Sequence, residues 1–118
     1  MRAALLVLLL ALSACGAQTV REDPAQAAAR ALAAAPSDAR LAGLYSSACR
    51  NCHTQPNSGA PLALDHAQWD PRWAKGEDTL LTHTIGGFNG MPAGGQCFAC
   101  TADDYRALIK FMAGREEG

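Results

Sequence analysis

The chain has 118 residues, 49% of them apolar and 18% charged, with a formal net charge of -1. That length allows one small domain at most. With no basic cluster and a sequence pI of about 6.2, nothing in it is suited to holding nucleic acid.

The chain starts with Met1-Arg2 and the apolar run Ala3 to Leu12. A run of about ten residues is too short to cross a bilayer as a helix and matches the core of a signal peptide. It ends in Leu12-Ser13-Ala14-Cys15, which resembles a bacterial lipobox. The resemblance implies a signal peptide over residues 1–14, cleavage before Cys15 and a diacylglyceryl group on its sulfur. The mature protein would then sit on the periplasmic side of a bacterial membrane, inner or outer left open. The alternative is an ordinary cut near Ala14, with Cys15 a spare thiol. Removing Arg2 from the ten basic residues leaves nine against eleven acidic ones, a balance of -2 and no strong electrostatic steer toward a partner.

Residues 15–36 read as an alanine-rich tether. Asp23-Pro24 has the form of a helix start, aspartate as N-cap and proline in the first position. Ala25 to Ala35 has high helix propensity but almost no apolar stripe to dock with. The expectation is a frayed helix acting as a semi-rigid spacer, or a disordered linker. The folded domain is placed at 37–118. Ser37 can cap a helix from about Asp38 to Ala48, with Leu41, Leu44, Tyr45 and Ala48 on one face. Gly43 is costly there, by about 1 kcal/mol against alanine, unless another backbone approaches it closely.

That helix leads into Cys49-Arg50-Asn51-Cys52-His53. C-x-x-C-H is the attachment sequence for c-type haem. Two thiols three positions apart reach two vinyl groups on one edge of the porphyrin, and the histidine that follows is turned under the iron. The competing readings are a structural disulfide, or half a zinc site with an incidental histidine. Residues 54–68 are rich in Asn, Ser, Gly and Pro and read as loop. A histidine bound to iron needs its second ring nitrogen held by an acceptor, and the Pro61 carbonyl is the candidate. Trp69-Asp70-Pro71-Arg72-Trp73 reads either as a wall of a haem pocket, with an indole N–H and Arg72 near a propionate, or as core packing beside a surface arginine. Glu77 to Ile85 forms a helix with acidic residues in its first turn, ended by Gly86-Gly87. Thr101-Ala102-Asp103-Asp104 caps the last helix, whose buried stripe is Leu108, Ile109, Phe111 and Met112.

The candidates for a second axial ligand are Met91, Met112, His66 and His83. Met112 belongs to the core stripe, His66 reads as a solvated polar residue, and His83 as a structural or surface residue in mid-helix. Met91, in Gly90-Met91-Pro92 just after a helix, is the choice: a turn can present its thioether, and its soft sulfur raises the reduction potential. Cys97 and Cys100 remain as a pair, which export would keep oxidised.

Gly43-Leu44-Tyr45, Cys49 to His53, Gly59-Ala60-Pro61, Trp69 to Arg72, Gly86 to Pro92, Gly94 to Cys100 and the capped last helix together resemble class I cytochromes c, more narrowly the cytochrome c5 group. The resemblance implies a small all-α fold of three to four helices wrapped around one covalent haem c. It also implies a Cys97–Cys100 disulfide and a close crossing of the first and last helices at Gly43, Tyr45 and Phe111. Function follows as a monomeric one-electron carrier, no enzyme, between a quinol-oxidising complex and a terminal oxidase or reductase. A domain of about 80 residues has a marginal core without its haem, so the apo chain is expected to be largely unfolded. The rivals are a haem peroxidase or gas sensor with an open sixth site, and a zinc-binding lipoprotein using Cys49, Cys52, Cys97 and Cys100.

Overall fold

A computed structural model describes residues 22–116; the stretch read as a signal peptide and Cys15 lie outside them. Regular structure among the described residues is helical, apart from one isolated bridge between Phe88 and Met91, and turns and loops join the helices. The helices are α1 (Pro24–Ala33), α2 (Ala39–Leu44), α3 (Arg50–His53), α4 (His66–Trp73), α5 (Glu77–Gly86) and α6 (Ala102–Met112). These are more segments than the three to four expected, and α1 and α4 are the additions.

The stretch read as an undocked tether contributes α1 to the core. The Asp23 carboxylate accepts from the Ala25 amide, so the helix is capped where the sequence places the cap. Ala27 and Ala31 are buried in the same cluster as Leu62, Trp69, Leu108 and Phe111. Residues four apart share a helix face, so these alanines form a stripe too small to register as hydrophobic, yet small enough to let another backbone come close. Arg30 donates to the Leu64 carbonyl at 2.9 Å and Arg50 to the Leu32 carbonyl at 2.8 Å, fixing α1 on the domain.

The cap of α2 is Asp38, one residue beyond Ser37; its carboxylate accepts from the Leu41 amide at 2.8 Å. The helix runs on through a π turn, Tyr45–Cys49, into α3. Such turns carry one residue more per hydrogen-bonded ring and collect at functional sites. Tyr45 packs edge-on against Phe111 of α6, ring centres 4.9 Å apart. Gly43 takes no part in that crossing: it is exposed, and a Cβ there would meet nothing within 4 Å. The aromatic pair, and not Gly43, makes the contact there.

α4 begins at His66, inside the stretch read as loop. Asp65 caps it, accepting from the Gln68 amide, while His66 itself is exposed and pairs with Asp70 one turn on. α6 opens with a complete capping box: the Thr101 hydroxyl accepts from the Asp104 amide, and the Asp104 carboxylate accepts from the Thr101 amide. The same carboxylate receives both ends of the Arg40 guanidinium, joining α6 to the start of α2. Arg106 reaches Glu77 and Asp78, joining α6 to α5. Among the described residues no helix is long and apolar enough to cross a membrane.

Candidate haem site

Cys49 closes the π turn, and Cys52 and His53 follow on α3, so one continuous helical run carries all three. His53 is buried at its end. Its Nδ1 lies 2.8 Å from the Pro61 carbonyl oxygen, the acceptor the sequence nominates. With Nδ1 carrying the proton it donates there, the lone pair is left on Nε2. Burial holds the imidazole below its ordinary pKa; the bond to Pro61 opposes this, and the Arg72 charge adds to it. The result is a neutral, orientationally fixed imidazole, the form a metal requires. His53 is held from a second direction as well: Ala63 donates its amide to the His53 carbonyl at 2.8 Å.

Trp69 is buried and nearly parallel to the His53 ring, the centres 5.9 Å apart. Its indole N–H donates to the Leu62 carbonyl at 2.8 Å. That takes the Trp69 indole out of reach of a propionate: the donor is spent on the backbone just after Pro61, and Trp69 is stacked on the imidazole instead. Arg72 is exposed on α4 and donates to the Gln68 carbonyl one turn back.

Met91 lies in the turn after α5. Phe88 and Met91 exchange both backbone bonds, amide to carbonyl, at 3.0 and 2.9 Å, closing a tight hairpin that presents the thioether. The chain then passes through the short helical turn Ala93–Gln96, with Gly94, Gly95 and Gln96 all left-handed, into the Cys97–Cys100 disulfide. Of the other candidates, Met112 is in the core and His83 is stacked face to face on Phe88 at 3.9 Å.

The residues fit a covalently attached haem c. Cys49 and Cys52 are free thiols, while Cys97 and Cys100 are consumed by each other, which removes half of the donor set a zinc site would need. Burial pushes the Cys49 thiol up to about 11, so it is a neutral S–H near neutrality and not a ready metal thiolate. One turn before it, the Tyr45 hydroxyl is buried without a protein partner. Two contacts carry no local sequence signal: the Leu62 carbonyl accepts from the Trp69 indole, and the Tyr105 hydroxyl donates to the Cys97 carbonyl only once α6 is packed.

The family described as cytochrome c oxidase, cbb3-type, subunit III matches residues 36–112. Cytochrome c-555 of Chlorobaculum tepidum is 34% identical over 77 residues, covering 62% of this chain and 71% of that protein. Cytochrome c5 of Ectopseudomonas mendocina is 38% identical over 68 residues, 56% of this chain and 78% of the relative. Cytochrome c5 of Azotobacter vinelandii is 40% identical over the same length, 56% and 82%. With an all-α fold, a C-x-x-C-H helix and these relatives, the chain belongs to the class I cytochromes c, in the c5-like group: a monohaem electron-transfer protein, not an enzyme, whose cofactor is one covalently attached haem c.

Proposed function

We propose that this cytochrome is a membrane-anchored periplasmic carrier, passing single electrons from a quinol-oxidising complex to a terminal oxidase or reductase. Cys49 and Cys52 would hold the porphyrin, His53 and Met91 would ligate its iron, and lipid on Cys15 would tether a folded domain that takes in α1 ahead of residue 37. The observation that carries the assignment of His53 is its Nδ1 set 2.8 Å from the Pro61 carbonyl oxygen, which leaves Nε2 for the iron. When bound, the haem supplies a one-electron couple between ferric and ferrous iron.

The chain's own residues keep that exchange cheap in rearrangement. Pro61 fixes the imidazole azimuth, Trp69 blocks its tilt, and the Phe88–Met91 hairpin limits the travel of the sulfur. Arg72, whose charge is felt at His53, is the cation we assign to a propionate. A family name that refers to a cytochrome oxidase supports an oxidase as acceptor. The sequence around Cys15 supports the anchor.

The test is the visible spectrum of the protein matured by its native export system. The ligand assignment predicts a sharp low-spin reduced spectrum, a weak far-red sulfur-to-iron band when oxidised, and indifference to carbon monoxide. A clear shift with carbon monoxide would replace it with an open-site haem. Mass spectrometry of the mature N-terminus checks the anchor: an unmodified Cys15 would overturn it.

A further inference from the structure

Three successive left-handed residues lie between Met91 and the disulfide: Gly94 (φ 63°), Gly95 (φ 54°) and Gln96 (φ 62°). Such a run is unfavourable for a side-chain-bearing residue like Gln96, and it persists only where surrounding contacts over-determine it. Two local bonds contribute, Gly95 amide to Pro92 carbonyl and Cys97 amide to Gly94 carbonyl, both 2.9 Å. The long-range contact comes from α6. The Tyr105 hydroxyl donates to the Cys97 carbonyl at 2.9 Å. The same hydroxyl lies where a Gly94 side chain would begin, 2.6 Å from an ideal Cβ. The next residue, Gly95, has the Met91 methyl group beside it: a Cβ there would stand 3.3 Å from Cε. A series of close neighbours therefore runs from α6 through Tyr105, Gly94 and Gly95 to the thioether.

From this geometry we infer that Tyr105 is a positioning residue for Met91, clamping the 94–97 turn so that the thioether is held against the iron. The inference rests on the assignment of Met91 as axial ligand. Burial raises the pKa of the phenol, so it remains a protonated donor across the physiological range. The disulfide closes the far end of the same segment, while Tyr105 acts on its middle, next to the residue that neighbours Met91. Loosening the clamp should raise the population of states in which the sulfur is off the iron, without disturbing His53 on the opposite side.

The experiment is imidazole titration of the ferric holoprotein, followed by the far-red sulfur-to-iron band, for the wild type, Tyr105→Phe and Gly94→Ala. Loss of one neutral hydrogen bond predicts about fivefold tighter imidazole binding in Y105F. G94A adds a Cβ against the phenol at a left-handed position and should shift affinity further in the same direction. It reads the contact from the other side, and decides the matter if Y105F does not accumulate as holoprotein. In the double variant the hydroxyl that G94A strikes is gone, so the two effects should be less than additive. A general loss of stability would lower the melting temperature but leave imidazole affinity unchanged. Unchanged affinity in both single variants, with a normal far-red band in the wild type, would overturn the role of Tyr105. A wild type lacking that band would overturn the Met91 assignment itself.

Discussion

The two sides of the site are built from different materials. His53 ends a continuous helical run and is buried among Trp69, Leu62 and Ala63, with Ala27 and Ala31 of α1 in the same core cluster. Met91 sits in short turns, partly exposed; Phe88 and Ile85 nearby are 47% and 46% exposed, and Phe98 at the tip of the disulfide loop is 98% exposed. The histidine side is thus fixed by burial, which unfolds only with the whole domain. The methionine side is fixed by a hairpin, a disulfide and one phenol, which can open locally. On the proposed ligand assignment, a carrier built this way would keep its haem and its histidine while the sixth position is the softer one.

The largest effect should follow from removing the brace on the histidine side. Trp69→Ala deletes a buried indole and orphans the Leu62 carbonyl, and should cost about 3–5 kcal/mol in denaturant unfolding of the holoprotein. Phe88→Ala, half-exposed on the methionine side, should stay within about 1 kcal/mol. Equal losses would contradict the contrast between the two sides. Next in size is α1: Ala31→Leu overpacks a fully buried position and should cost about 1–3 kcal/mol, while Ala29→Leu, on the exposed face, should be near neutral. If α1 were a free spacer, neither substitution would matter.

What was readable in the sequence is what is decided within a few residues. The Asp23 and Thr101 caps, the glycines that end α5 and the C-x-x-C-H run depend on local spacing, and each lies where the sequence places it. The Pro61 carbonyl is within reach of His53 because both sit on one short excursion of chain. Tertiary choices were hidden. An alanine stripe gives no hydrophobic signal until something packs on it, so α1 read as a tether. The indole N–H of Trp69 had several imaginable partners, and the Leu62 carbonyl is chosen only when α4 folds back. Pro71 and the polar residues before it masked α4, although Asp65 is an ordinary cap for it.

Asp104 offers a smaller and pH-dependent test of how α6 is held across both sides. The Arg40 guanidinium beside it, with the Thr101 amide, keeps its carboxyl well below the usual carboxylate range. A group whose pKa is depressed by folding adds stability that is complete above its unfolded value and is lost as pH falls through the folded one. Asp104→Asn should therefore melt lower than wild type at neutral pH. The gap should narrow steadily as the pH drops below about 4, because only the wild type has that carboxylate to lose. A gap that stays constant down to strongly acid pH would mean that the cap, and not the charge, carries the contribution.

The smallest effect has the clearest sign. The family resemblance makes Gly43 a contact glycine, and on that reading any side chain there would force α2 away from α6. In the structure Gly43 lies in α2 with nothing within 4 Å of the point where a Cβ would stand, and the crossing is made by Tyr45 and Phe111. Alanine at an open helical position gains from lower backbone entropy in the unfolded chain and better helix propensity, together up to about 1 kcal/mol. Gly43→Ala should thus stabilise the holoprotein slightly and leave its spectrum unchanged. A destabilised variant would restore the close crossing at Gly43, and would mean that α2 and α6 approach more tightly once the haem is in place.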